Sequence, residues 1–295
     1  MSEQPIRQRA TTEEKSGSRR DTTRPPAPEP LPHPVADNHC HLDIGDGDAE
    51  FGTAAAIEAA RAVGVTRIVQ VGCDLPAARW SVRAVDEYDA LVAAVALHPN
   101  EAPRLAATGE LDAALAEIEQ LATHDRVRAV GETGLDHFRT GEEGRAAQQG
   151  SFRAHIEIAK RLGKTLMIHD RDAHDDVLRI LAEEGFPDRW VMHCFSGDAE
   201  FARRCLAAGA HLSFAGTVTF KNAAPLREAL AITPLDRILV ETDAPFLTPS
   251  PHRGRPNASY LVPTTMRVMA DVRGVELAEL CARVDENTTH LYGAW

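Results

Sequence analysis

Three observations point to an α/β chain closed into a TIM (β/α)8 barrel. Short β-branched runs alternate with longer stretches of helical spacing, eight such runs fit into the 295 residues, and residue types that hold metals recur where the runs end. Such alternation calls for a parallel sheet joined by helices. Eight repeats over about 250 residues suit a barrel, with a doubly wound open sheet as the alternative.

Residues 1–34 read as a disordered, proline-rich tail. Six of the ten residues from Pro25 to Pro34 are proline, and the stretch before them lacks aromatics and apolar periodicity. A segment of that kind buries too little apolar surface to offset its ordering entropy. The barrel domain is then 35–295. Strands are expected at Val35–His39, Arg67–Val71, Leu91–Ala96, Val127–Gly131, Thr165–His169, Trp190–His193, His211–Phe214 and Arg237–Glu241. Between them, Leu111, Leu115, Ile118 and Leu121 share one helical face, as do Phe152, Ile156, Ala159 and Leu162, with Arg153, Glu157 and Lys160 opposite. Closing helices run from Pro263 through Leu291, with a break at Gly274 and Val275.

The net charge of −12, from 44 acidic and 32 basic residues, works against a broad electrostatic grip on nucleic acid. Five scattered cysteines (Cys40, Cys73, Cys194, Cys205, Cys281) without a C-x-x-C pair fit a reducing compartment. No 18-residue apolar run marks a membrane span and no apolar core near the N-terminus marks a signal peptide. Arg19-Arg20 is followed by Asp-Thr-Thr-Arg-Pro-Pro, where twin-arginine export would need an apolar segment. A cytoplasmic protein is expected, with no membrane attachment and no obligate protein partner.

The polar residues carry the chemistry. Along Val35-Ala36-Asp37-Asn38-His39-Cys40-His41-Leu42-Asp43, strand alternation turns Asp37, His39 and His41 to one face, and two imidazoles at i and i+2 can reach one ion. His98 follows the third strand, Glu132 ends the fourth, His169 the fifth, His193 the sixth, and Glu241 with Asp243 the eighth. A barrel gathers these C-terminal ends at one mouth, where its catalytic residues lie. Each residue alone has an ordinary explanation, such as a solvated strand edge, a hydrogen-bonded histidine or a carboxylate capping a turn. Their recurrence at equivalent positions is what points to a metal centre. Cys40 and Cys194 sit beside His39 and His193 but face away by strand parity, so packing is expected of both.

Six motifs resemble, in order, the signatures of TatD-type metal-dependent deoxyribonucleases: Asp37-Asn38-His39-Cys40-His41-Leu42-Asp43, Leu97-His98-Pro99, Gly131-Glu132-Thr133-Gly134-Leu135-Asp136, Ile168-His169-Asp170-Arg171, His193-Cys194-Phe195-Ser196-Gly197 and Glu241-Thr242-Asp243-Ala244-Pro245-Phe246-Leu247. The resemblance runs from Val35 to the C-terminus. It implies a TIM-barrel hydrolase of the wider amidohydrolase group with two divalent metal ions, Mg, Mn or Zn. His39, His41 and Asp243 would hold one ion, His169 and His193 the other, and Glu132 would bridge them. His98, Arg171, Arg253 and Asn257 would line the substrate side. His137 departs from the family's usual tyrosine, Ala96 from a common glycine, and Asn257-Ala258-Ser259 lacks a later proline.

The implied reaction is hydrolysis of DNA phosphodiesters, 3′ to 5′ from single-stranded or frayed ends, by a metal-activated water with Asp243 as general base. An arginine in the stiff loop Pro251-His252-Arg253-Gly254-Arg255-Pro256 suits bidentate phosphate binding. The alternative is an amidohydrolase-like enzyme acting on a C–N or lactone bond. A metal-binding scaffold without turnover is disfavoured by the complete set of ligands and base.

Overall fold

The computed structural model describes residues 4–9, 20–47 and 51–295. Eight parallel strands form the central sheet: β1 Val35–Cys40, β2 Val65–Gly72, β3 Leu91–Val95, β4 Val127–Asp136, β5 Thr165–Arg171, β6 Trp190–Met192, β7 His211–Phe214 and β8 Ile238–Val240. Each pairs with the next in chain order. The ring closes beyond β8, where Cys40 and Ala244 form a parallel bridge, Asp243 N donates to His39 O (3.0 Å) and His41 N to Ala244 O (2.8 Å). The fold is the expected TIM barrel.

Strand alternation divides the apolar residues into two groups. Val69, Val71, Val92, Ala94, Ala129, Met167, Val191 and Leu239 fill the barrel interior, while Ile68, Leu91, Val130, Leu166 and Ile238 face the surrounding helices. Burial on both faces is why these strands read as near-continuous apolar runs rather than alternating ones. The helix Glu142–Leu162 shows how the outer layer is specified. Phe152, Ile156 and Ala159 are buried, Glu142 and Glu143 open the helix, Lys160 and Arg161 end it, and Gly163 at φ 61° terminates it. The expected break near the C-terminus falls at Gly274, φ 63°, between the helices Val262–Arg273 and Leu277–Tyr292.

β4 runs five residues past its expected end, and glycine makes this possible. A Cβ on Gly131 would lie 2.4 Å from Met167 Cβ, and one on Gly134 would lie 2.0 Å from His169 O. Only bare backbone lets β4 approach β5 so closely, and the pairing register shifts between Val130 and Thr133. That shift sets Glu132 beside the end of β5.

The N-terminal stretch differs from the disordered tail expected of it wherever it is described. Arg7–Gln8 pairs in parallel with Ile44–Gly45, and Trp80 Nε1 donates to the Gln4 carbonyl (2.9 Å). The buried Arg20 guanidinium donates to both Asp46 oxygens (2.7 and 2.6 Å) and to Gly254 O (2.7 Å). Tyr260 donates to Pro25 O (2.7 Å), and Leu31 is buried against the barrel. The entropy argument counted the surface that the stretch itself could bury and left out the groove that the barrel supplies. Proline-rich backbone also has few N–H groups to satisfy, so its carbonyls can simply accept donors from the barrel. Residues 1–3 and 10–19, the rest of that expectation, lie outside the described residues. Among the described residues, no helix is long and apolar enough to cross a membrane.

Replacing Arg20 with Ala leaves the buried Asp46 carboxylate without its bidentate partner. Urea unfolding should show a loss of about 2 kcal/mol, the scale of a hydrogen-bonded charge. An unchanged midpoint would mean that the Arg20–Asp46 pair adds nothing to the fold.

Candidate metal centre

Ring closure sets the end of β1 against the chain that follows β8. Asp243 Oδ1 lies 3.3 Å from His41 Nε2 and 3.7 Å from His39 Nε2, although some two hundred residues of chain separate them. Asp243 holds a left-handed φ of 53°, unusual for a residue other than glycine, and two backbone bonds fix it there: Asp243 N to His39 O (3.0 Å) and Phe246 N to Asp243 O (2.8 Å). Glu132 stands across from them with its two oxygens facing different histidines. Oε1 is 3.7 Å from His39 Nε2 and 3.6 Å from His41 Nε2, while Oε2 is 3.0 Å from His193 Nε2 and 3.1 Å from His169 Nδ1. The structure thus brings all six of the expected ligands together. Three overlapping triads could hold an ion: His39/His193/Asp243, His39/His41/Glu132 and His98/Glu132/His169.

Outer partners decide which ring nitrogen faces the centre. His41 Nδ1 lies 3.1 Å from the Val71 carbonyl, an acceptor only, so that nitrogen carries a proton and Nε2 is the nitrogen turned inward. His39 Nδ1 likewise faces Met167 Sδ at 3.1 Å. The two Nε2 atoms then confront each other at 3.1 Å. His193 Nδ1 is held by Glu241 Oε1 (3.0 Å), and His169 Nε2 faces Asp136 Oδ2 (3.4 Å).

The charges of the centre follow from this crowding. Burial works to lower the His41 pKa, but Asp243 and Glu132 outweigh it and hold the ring at about 9. Burial opposes the charged form of His193 too, and the carboxylates of Glu241 and Glu132 lift it well above the usual imidazole range. Burial would raise Glu132, yet His193, His98 and His169 bring it well below the ordinary carboxylate range, and His41 and its neighbours bring Asp243 down.

His98 plays a different part. Asn100 N donates to its Nδ1 (3.1 Å), and burial lowers its pKa to about 3, so the ring is neutral with its proton on Nε2. That N–H points toward Glu132 Oε2, 3.9 Å away, so in the metal-free chain His98 presents a donor to the centre. Arg171 and Arg253 lie over aromatic rings, 3.9 Å from the centroid of Phe138 and 4.0 Å from that of Phe220. Asn257, expected on the substrate side, is a correction. It is buried, its Nδ2 donates to Thr242 O (3.0 Å) and Phe246 O (2.5 Å), and its Oδ1 accepts from Ala258 N (3.0 Å). Its amide is consumed in pinning the loop after β8.

Two contributors escaped the reading of the sequence. Cys73, just past the end of β2, donates to Glu132 Oε1 (3.0 Å); burial and the Glu132 charge raise its pKa well above the usual thiol value, so it keeps the proton it donates. Asp136 steadies His169 while accepting from Arg139 N (2.8 Å) and Asn100 Nδ2 (3.2 Å). Their positions at strand ends were the available signal. Cys194, expected in packing, instead lines a cavity beside the centre. β6 ends at Met192 and Cys194 has φ 43°, so strand parity no longer governs it. Cys40 is in the core, as expected.

The profile of the TatD related DNase family matches residues 36–293. The chain belongs to that family. A relative from Mycobacterium tuberculosis, the uncharacterized metal-dependent hydrolase TatD, is 46% identical over 264 residues, spanning 88% of this chain and 98% of its own. YabD of Bacillus subtilis, a metal-dependent hydrolase by name, is 39% identical over 257 residues, 87% of this chain and 98% of its own. Among solved structures, the TatD homolog YjjV of Escherichia coli K12 superimposes with a TM-score of 0.79 at 28% identity, covering 88% of this chain and 98% of that one. A TatD family hydrolase of Entamoeba histolytica shares the fold at 19% identity, with a TM-score of 0.78 over 89% of this chain and 99% of its own. This TatD chain is therefore a metal-dependent hydrolase whose histidines and carboxylates meet at the mouth of its barrel.

The Glu241 carboxylate is the strongest influence holding the proton on His193. In Glu241→Gln, the His193 ring should titrate at lower pH than in the parent, as read by histidine NMR of the metal-free protein. An unmoved titration would remove Glu241 from this role.

Proposed function

We propose that the centre binds two divalent ions and hydrolyses phosphodiester bonds of DNA, 3′ to 5′ from single-stranded or frayed ends. One observation carries the metal reading. The Nε2 atoms of His39 and His41 face each other at 3.1 Å, each ring's Nδ1 being turned outward, to Met167 and Val71. In the metal-free chain at pH 7 the proton on His41 Nε2 lies between them and the facing carboxylates, which is the place a cation would take. Nitrogen and oxygen donors in this mixture suit Zn or Mn and tolerate Mg. His39, His41 and Asp243 would hold one ion, His169 and His193 the other, and Glu132 would give one oxygen to each.

A bound divalent ion polarises a phosphoryl oxygen and brings water within reach of deprotonation at neutral pH. The chain's own residues do the rest. Asp243, at the mouth and beside His41, orients the attacking water and accepts its proton. His98 donates its Nε2–H to the phosphoryl group, and Cys73 holds the bridging Glu132 in place.

The arginines favour phosphate over a C–N or lactone bond. Several arginines of this acidic chain are matched with carboxylates, as in Arg79 with Glu117, Arg153 with Glu183, and Arg179 with Asp176. Arg171 and Arg253 have no carboxylate partner among the described residues, and each lies on a phenylalanine ring. A guanidinium kept clear of acids is available to a phosphate.

Asp243→Asn, assayed by nucleotide release from single-stranded DNA with Mn²⁺, should lose about 10² to 10⁴ in rate, the usual contribution of a general base. Near-normal turnover would overturn the role of Asp243. Metal uptake should also release protons. His41 is raised to about 9, so at pH 7 it holds a proton on the nitrogen that an ion needs, and apparent affinity should rise with pH toward about 9. Calorimetry in two buffers of different ionisation enthalpy reads this directly, and a binding heat that ignores the buffer would contradict the assignment.

A further inference from the structure

A cavity of about 440 Å³ opens beside the metal centre, between the loops that follow β6 and β7. We infer that this cavity is a nucleobase pocket, with Phe220 as its stacking surface and Arg253 at its rim. The inference rests on the phosphodiester reading above, whose reacting phosphate it places at the neighbouring centre.

Position is the first argument. Cys194, which lines the cavity, follows directly on His193 in the chain, so whatever fills the cavity continues from a group held at the centre. The volume falls within the range of about 300–1,000 Å³ common to small-molecule sites. The lining is the second argument. Phe195 and Phe220 supply aromatic surface, and Ser196, Thr217 and Asn222 supply polar groups. The side chains of Thr217 and Asn222 make no hydrogen bond among the described residues, unlike Ser196, whose hydroxyl donates to Asp170 O (3.4 Å). An asparagine amide offers a donor and an acceptor side by side, which matches the edge of a base.

The third argument is the guanidinium of Arg253, 4.0 Å from the Phe220 centroid and without an acidic partner among the described residues. Cation and ring together recognise a flat ring joined to a phosphate, which is a nucleotide. A purely aliphatic ligand would leave the Asn222 amide and the arginine without purpose.

Calorimetric titration of the full chain with Mn²⁺ tests this, using deoxyadenosine monophosphate and 2-deoxyribose 5-phosphate as probes. The nucleotide should bind about tenfold or more tightly than the baseless sugar phosphate, in keeping with the stacking of one base. Phe220→Ala should remove most of that preference, the nucleotide losing more affinity than the sugar phosphate, and the Mn²⁺ affinity measured alone reports that the centre is intact. Phe220→Trp should keep the preference. Equal affinity of the parent for the two probes overturns the pocket, as does a preference that survives Phe220→Ala. The measurement needs no turnover. A chain that prefers the nucleotide yet never cuts DNA keeps the pocket and loses the phosphodiester reading, and one that cuts DNA without the preference does the reverse.

Discussion

The seam between β1 and the chain after β8 is the constraint on which the rest of this barrel depends. Asp37 accepts from Thr242 N (2.9 Å), Thr242 Oγ1 (2.5 Å) and His39 N (3.3 Å), while Asn38 Nδ2 donates to Val240 O (2.9 Å). Thr288 then donates to Asn38 Oδ1 (3.1 Å), tying the last helix to the same point. Burial raises the Asp37 carboxyl to about 7 despite these bonds, so the seam is a fully buried polar network in which each member relies on the others. What it gains is position: His39 and His41 from one end of the chain meet Asp243 from the other.

A second layer governs the first. The inward nitrogens are chosen by groups that lie outside the centre: the Val71 carbonyl for His41, Met167 for His39, Glu241 for His193 and Asp136 for His169. Four different acceptors achieve one result, which is to fix which ring nitrogen turns toward the centre. His98 is the exception because its partner is a donor, the Asn100 amide, and its proton is sent inward. Which nitrogen each ring turns toward the centre is therefore set by backbone and side-chain partners that the histidines themselves do not reveal.

This explains how much the sequence disclosed. Strand runs and their polar ends were legible, because parallel strands buried on both faces read as apolar blocks and a barrel sends every C-terminal end to one mouth. Saturation of donors was not legible. Asn257 occupies the expected loop, yet its amide is spent on Thr242 and Phe246. Alternation failed where backbone left the strand: the register shift between Asp37 and Cys40 removes Asp37 from the face it was expected to share with His39 and His41, and the positive φ of Cys194 turns it toward the cavity. The N-terminal stretch was misread because its partners, among them Asp46, Tyr260 and Gly254, lie far along the chain.

A net charge of −12 is ill-suited to the proposed DNA substrate, yet the distribution of partners would reconcile the two. Carboxylates at the centre, Glu132 and Asp243, are held ionised by surrounding histidines, so they favour cations and oppose a bare phosphate. With cations at the centre the local sign would reverse, and Arg171 and Arg253, which have no carboxylate partner among the described residues, would add to it. On the proposed phosphodiester reading, attraction confined to the centre would favour a chain end that can enter over a duplex lying across the surface. The acidity elsewhere would then act as a filter, repelling whatever length of backbone does not enter.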